Sequence, residues 1–160
     1  MTGRLLSVKT TINGKAYSLE IEPRLLLVDL IRYEAGLKGT HVACDTGHCG
    51  ACTVMMNGLS VKSCQVLAPR ADGAEIMTVE GLRSGESLHP IQEAFWECDA
   101  VECGYCTPGM LMTTLAFLKG NPRPSEDEIR TAYSGNLCRC TGYLNIIKAV
   151  KRAAERMSAR

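Results

Sequence analysis

The sequence predicts an α+β chain built from two unlike halves. Three observations lead there. Period-two apolar alternation and two Asn-Gly pairs are confined to the residues before 80, a glycine- and serine-rich connector spans Gly81–Ser87, and only helix-period patterns follow it. A length of 160 residues suffices for two small units with modest cores. The division is expected near residue 80, with units at 1–80 and 81–160.

Residues 4–12 are β-rich, and Asn13-Gly14 after them is a hairpin signal, because both residues tolerate the positive φ that a tight two-residue turn needs. Tyr17, Leu19 and Ile21 then alternate with Ser18, Glu20 and Glu22, a strand with one buried face. Pro23 ends it. From Arg24 to Glu34 the residues Leu26, Leu27, Leu30 and Ile31 fall at helical spacing, predicting a short amphipathic helix that stops near Gly36. Asn57-Gly58, between Thr53–Met56 and Leu59–Val61, predicts a second hairpin, and Glu75–Val79 a last strand. The first half is therefore a small mixed sheet with one helix against it.

Past the connector, Ile91, Ala94, Phe95 and Cys98 follow i, i+3, i+4, i+7, with Pro90 suited to the first turn. A second helix is predicted from Pro108 to Lys119, ahead of Gly120-Asn-Pro. Ser125 and Glu128 form a capping box that starts a third, ending around Gly135. The fourth places Tyr143, Ile147, Val150 and Ala154 on one face, with Lys148, Lys151, Arg152 and Glu155 away from it. Four helices without strands make a bundle.

The nine cysteines cannot all pair with one another, since their number is odd. Residues 1–10 hold no extended apolar segment and no twin arginine, so no export signal is expected, and a cytoplasmic chain keeps its thiols reduced. Metal binding is the leading use for them. No apolar run reaches the length of a membrane span, and a net charge of +1 without basic–aromatic clusters gives no reason to expect nucleic acid.

Cys44, Cys49 and Cys52, answered by Cys64, have the Cys-x4-Cys-x2-Cys…Cys spacing of a [2Fe–2S] cluster. Gly47 and Gly50 let that loop turn sharply and approach a metal core closely. The second set is Cys103-Gly-Tyr-Cys106 with Cys138-Arg-Cys140. Taken alone, its spacing fits a [2Fe–2S] cluster or a tetrahedral zinc equally well. Each of its groups is followed by Thr and then a helix, predicting two helix N-termini aimed at one anionic centre in a pseudo-twofold arrangement. Cys98, on the apolar stripe, reads as a packing residue. His48 reads as a surface loop residue, since four cysteines already complete the first set, while His41 and His89 have no evident partner in the sequence. Arg139 could screen charge between two ligands, and Met110 and Met112 read as bundle core.

Three stretches, Cys44-Asp-Thr-Gly-His-Cys-Gly-Ala-Cys-Thr-Val, Cys103-Gly-Tyr-Cys-Thr-Pro-Gly-Met and Gly135-Asn-Leu-Cys-Arg-Cys-Thr-Gly-Tyr, resemble the small iron–sulfur subunit of the molybdenum hydroxylases, the xanthine oxidase family. The likeness covers nearly the whole chain. Gly58-Leu-Ser-Val-Lys-Ser-Cys64 is most similar to aerobic carbon monoxide dehydrogenase-type small subunits. The resemblance implies a plant-ferredoxin-like (β-grasp) domain followed by the helical bundle domain, each with one [2Fe–2S] cluster. It implies a large molybdopterin subunit and a medium FAD subunit as partners, in a dimer of heterotrimers. It also implies that the Cys103/Cys106/Cys138/Cys140 cluster faces the molybdopterin and the Cys44/Cys49/Cys52/Cys64 cluster the flavin. On this reading the chain relays single electrons and has no substrate site of its own.

The resemblance further places Glu102 and Cys140 as molybdopterin contacts. Residue 102 departs from the family pattern, which has Gln there. A carboxylate accepts hydrogen bonds from pterin N–H groups but cannot donate unless protonated; the competing reading is a Glu facing solvent. Two other functions fit the residues: a free-standing two-cluster ferredoxin, separated by whether the chain copurifies with partners, and a zinc module, separated by metal content.

Overall fold

The computed structural model describes residues 5–158. Residues 1–4 lie outside them, and with them the start of the 4–12 strand and part of the stretch read for an export signal. The first half is a five-stranded sheet formed by β1 (Leu6–Ile12), β2 (Lys15–Ile21), β3 (Thr53–Met56), β4 (Leu59–Lys62) and β5 (Glu75–Met77), in the order β2-β1-β5-β3-β4. The β1–β5 pair is parallel and the other neighbours are antiparallel. Both hairpins turn where the Asn-Gly pairs predict, with φ of 51° and 78° at Asn13-Gly14 and 51° and 82° at Asn57-Gly58. These values match the right-handed twist of the strands they join.

The helix across the sheet differs from the expectation. Residues 24–26 are not helical: the Leu27 N–H donates to Val66 O and the Ala68 N–H to Leu25 O, so this segment runs beside residues 66–68. Helix α1 (Leu27–Asp29) then widens into a π-turn, Leu30–Glu34, in which the Ala35 N–H reaches back to Leu30 O. Three of the four expected apolar positions are nonetheless buried, while Leu26 is half-buried and packs with Val28, Cys52 and Cys64. Leu27, Leu30 and Ile31 are buried against Val8, Ile12, Ile21, Val54 and Ile76 of the sheet. Strand β5 stops at Met77, two residues short of its predicted end. The Thr78 N–H goes to the Asn13 side chain instead of continuing a ladder, and a 3-10 turn follows over Val79–Leu82.

The second half holds α2 (Pro90–Glu97), α3 (Thr107–Gly120), α4 (Glu126–Ala132) and α5 (Leu144–Ser158). The Ser125–Glu128 capping box forms as the sequence predicts. A second box was not legible: His89, which seemed to have no partner, caps α2, its Nδ1 accepting from the Ile91 N–H while Gln92 Oε1 accepts from the His89 N–H. The buried face of α5 is wider than its predicted stripe, adding Ile146, Ala149 and Ala153. Ile91, Phe95, Met110, Met112, Ile129 and Ile146 are fully buried in this core, and each such burial contributes about 1.5–3 kcal/mol. Arg156 of α5 bridges Glu93 and Glu97 of α2 at the surface, a link that is worth little beside that packing.

The halves meet where α3 lies against β3 and the first cysteine loop. Met55 of β3 belongs to the helical core. Gly109 of α3 comes so close to the loop that a Cβ there would lie 2.1 Å from Gly50 O, so only glycine fits.

Candidate metal centres

The first cysteine set is built by one wrapped loop and the 3-10 turn Ser63–Gln65 that follows β4. Asp45, Gly47 and Gly50 all have positive φ (53°, 77° and 71°), which curls the backbone around the Cys44 sulfur. The Cys49 and Thr46 N–H groups each donate to Cys44 Sγ at 3.4 Å. These bonds, the one from Cys49 foremost, lower the Cys44 thiol to about 5, so it is a thiolate at neutral pH before any metal arrives. Cys52 and Cys64 are buried together beneath Val28. Desolvation pushes Cys52 up to about 11. Ser63 locks the pair, its Oγ donating to Cys52 O at 2.7 Å. Gln65 ties Cys64 to the loop through Nε2, which lies 3.4 Å from Cys64 Sγ and 3.1 Å from Asp45 O. His48 is exposed and meets Thr46 Oγ1, in keeping with a surface role.

The second set lies around a cavity of about 150 Å3 lined by Cys103, Cys106, Cys138 and Cys140, and reached by Cys49 of the first set. The exposed Cys103 and Cys140 have sulfurs 3.4 Å apart, and Cys103 raises the Cys140 thiol. Cys106 is pushed up to about 12 by burial first and by its neighbour Cys138 second. At Cys138 burial also acts upward, but donors from Thr141, its Oγ1 at 3.1 Å and its N–H at 3.5 Å, outweigh it and hold the thiol low.

The predicted twofold symmetry is half realised. Cys106 is the N-cap of α3, whereas α5 begins only at Leu144, after a turn with positive φ at Gly142 and Tyr143. The donors to sulfur on that side come from Thr141 rather than from the helix end. Tyr143 packs against the helical core as its stripe predicts and also caps the second loop: its hydroxyl accepts from the Cys138 N–H at 2.8 Å and donates to Asn136 O. Cys98 ends α2 and packs against the helical core. Glu102 is exposed just ahead of Cys103, and Arg139 is exposed between its two cysteines.

The donor arrangement suits a binuclear cluster. Each iron of a [2Fe–2S] core takes two thiolates, so the sulfurs belong in two pairs, while one zinc needs four donors about a single point. In the second set Cys103 pairs with Cys140 and Cys106 with Cys138. Among the described residues, no three or more His, Cys, Asp or Glu side chains converge on one ion position.

A seam of residues invisible to sequence reading joins the two sets. The Leu137 N–H, one residue before Cys138, donates to Cys49 O at 2.8 Å. The buried Asn136 donates from Nδ2 to Gly50 O at 3.3 Å and accepts from Thr113 of α3 at 3.1 Å. His41, which seemed unpartnered, stacks on Tyr105 with ring centroids 4.7 Å apart, and its Nδ1 meets Tyr105 O at 2.9 Å. Lys62 reaches back from β4 to Gly47 O at 2.6 Å.

Comparison with known proteins bears on both halves. Residues 10–78 match the 2Fe-2S iron-sulfur cluster binding domain and residues 78–151 the [2Fe-2S] binding domain. The chain is 46% identical over 151 residues to the nicotinate dehydrogenase small FeS subunit of Eubacterium barkeri, covering 94% of this chain and 96% of that one. It superposes on a chain of quinoline 2-oxidoreductase from Pseudomonas putida 86 with a TM-score of 0.94 and 45% identity, over 98% of both chains. With the aldehyde oxidoreductase of Desulfovibrio gigas the TM-score is 0.91 at 37% identity, over 96% of this chain but only 17% of that longer one. These three carry the family likeness and do not single out the carbon monoxide dehydrogenase branch to which Gly58–Cys64 pointed.

Proposed function

Because this chain belongs to the small iron–sulfur subunits of the molybdenum hydroxylases, with an N-terminal ferredoxin-like domain and a helical second domain, we propose the following assignment for its cysteines and its route. Cys44, Cys49, Cys52 and Cys64 hold one [2Fe–2S] cluster in a domain spanning 1–80. Cys103, Cys106, Cys138 and Cys140 hold the other in a domain spanning 81–160. The chain is an electron-transfer subunit, and its partners are a large molybdopterin subunit and a medium FAD subunit, assembled as a dimer of heterotrimers. Single electrons pass from the molybdopterin side, at the helical-domain cluster, to the FAD side, at the ferredoxin-like cluster. Each cluster, when bound, supplies a one-electron store.

The observation that supports this reading best is the single hydrogen bond between Leu137 N–H and Cys49 O. It connects a residue bonded to one ligand with the backbone of a ligand in the other set. The protein holds two donor sets in fixed register and leaves the rest to the cofactors. Cys103 and Cys140 are the exposed members of their set, which favours the helical-domain cluster as the one nearest a partner's cofactor. On this reading Glu102 and Cys140, both exposed, meet the molybdopterin, with Glu102 accepting from its N–H groups. The substrate class belongs to the large subunit.

Purified with its partners, the chain is expected to carry about four irons and four acid-labile sulfides. A zinc-loaded, colourless chain, or one that never copurifies with molybdopterin and flavin subunits, overturns the reading. Cys106→Ser is expected to abolish one of the two EPR signals, leave the other, and stop flavin reduction by the complex's substrate. Two unchanged signals overturn the ligand assignment.

A further inference from the structure

Lys62 is a cation held on the seam between the two cysteine sets. It ends β4, two residues before Cys64, and is half-buried. Its Nζ donates to Gly47 O at 2.6 Å, inside the Cys44–Cys49 loop. Close to it also stands Gly135, where a Cβ would come 3.1 Å from Nζ, at the end of the 3-10 turn Tyr133–Gly135 three residues before Cys138. Among the described residues no carboxylate lies within 4.0 Å of it. The ammonium is therefore not neutralised locally, and it is bonded to a carbonyl rather than to a sulfur.

We propose that Lys62 sets the reduction potential of the Cys44/Cys49/Cys52/Cys64 cluster relative to its neighbour. The proposal rests on the ligand assignment above. A four-thiolate [2Fe–2S] centre carries a net charge of about −2 when oxidised and about −3 after taking one electron. A fixed positive charge favours the more negative state, so it raises the potential of the cluster it lies nearest. Half-burial reduces the screening that would cancel this effect at an exposed lysine. The contact is within the first loop, whereas Gly135 is three residues from the nearest ligand of the second set, so the bias falls on the first cluster. Arg139, exposed between Cys138 and Cys140, lies on the second side and is untouched by any change at Lys62. The device draws the electron toward the ferredoxin-like side without altering a ligand.

The test is an EPR-monitored redox titration of the intact complex. In Lys62→Met and Lys62→Gln the first cluster is expected to become harder to reduce relative to the second, shifting the sharing of one electron about tenfold, or about 59 mV. Lys62→Arg, which keeps the charge, is expected to stay near the parent. Should Lys62→Met fail to load its cluster, Gln and Arg carry the test, since both retain a donor for Gly47 O. An unchanged potential difference in Lys62→Gln overturns the proposal, as does an Arg variant that shifts as far as Gln, which would make Lys62 only a loop pin. Cys44→Ser identifies the signal that belongs to the first set. If Lys62→Gln moves the other signal, the charge proposal fails alone. If Cys44→Ser and Cys106→Ser perturb neither signal, it is the ligand assignment that fails.

Discussion

On the proposed ligand assignment, the two cysteine sets each present four thiols to a cluster, and they do so in opposite ways. In the first, one loop with three positive-φ positions folds N–H groups onto Cys44 and ionises it, with the thiol at about 5. In the second, the innermost thiol, Cys106, is buried at a helix start and pushed up to about 12, while the outer pair, Cys103 and Cys140, faces solvent. The first set offers a prepared anion on a curled backbone. The second offers an open rim over a reluctant acid, although each set mixes the two, with Cys52 raised to about 11 in the first and Cys138 held low in the second. Since a thiol must lose its proton to ligate, loading the second set at neutral pH releases nearly a full proton from Cys106, half-ionised only near pH 12, whereas Cys44, half-ionised near pH 5, contributes almost none there. Backbone donors make the one ready; burial makes the other selective.

The strongest way to break this pairing is to push the sets apart. Gly109 of α3 sits against Gly50 of the first loop, and a Cβ would meet Gly50 O at 2.1 Å and Ala51 Cα at 3.0 Å, both backbone atoms that cannot swing aside. Gly109→Val is expected to cost about 1–3 kcal/mol and to lower the thermal midpoint of the loaded chain by several degrees. The loss should fall on both halves, because the Leu137–Cys49 bond lies in the same seam. Calorimetry showing an unshifted transition would mean that the halves do not depend on this contact.

A sharper and smaller effect comes from the thiols without metal. Exposure alone says that an alkylating reagent should reach Cys103 and Cys140 first. Ionisation says Cys44, which is only half-buried. At pH 6.5 a thiol with pKa near 9 is roughly 0.3% thiolate, whereas Cys44 is almost wholly ionised, and the lower nucleophilicity of an acidic thiolate removes most but not all of that advantage. On the cluster-free chain, iodoacetamide labelling read by mass spectrometry is expected to favour Cys44 by several-fold at pH 6.5. Its rate should be flat from pH 6 to 8, while that of Cys140, whose thiol is raised by Cys103, should climb with pH. Equal labelling of Cys44 and Cys140 at pH 6.5 would show that the loop does not hold its donors in place.

The difference between the sets also explains what the sequence disclosed. Both cysteine sets stood out because metal ligation constrains residue type and spacing, and the strands, hairpins and helices were legible because their periodicities are local. The seam was not. Asn136, Leu137 and Lys62 have no pattern of their own, and their roles come from tertiary contacts with Gly50, Cys49 and Gly47. His89 was misread and the second role of Tyr143 missed for the same reason, since a histidine cap and a tyrosine hydroxyl on a loop N–H leave no periodic trace. The helix starts only at Leu27 because residues 66–68 take the backbone partners of Leu25 and Leu27, a pairing between segments some 40 residues apart in the chain.

The ninth cysteine gives the smallest effect and the cleanest control on the comparison. Cys98 closes α2, its N–H donating to Ala94 O, and its side chain packs at the edge of the helical core. If the sets are as assigned, Cys98 belongs to neither, although it precedes Cys103 by only five residues. Cys98→Ala removes about one methylene's worth of apolar contact, about 0.8 kcal/mol if fully buried and less at a half-buried position. It is expected to leave iron content, both EPR signals and their potentials at parental values, with a thermal midpoint lower by a degree or two. Loss of either signal would make Cys98 a ligand and reassign one of the four residues now given to the helical-domain cluster. Since Cys98 sits on a helix end fixed by the α2–α5 core, such a result would require that end to unwind, and the midpoint would fall well beyond what one lost contact explains.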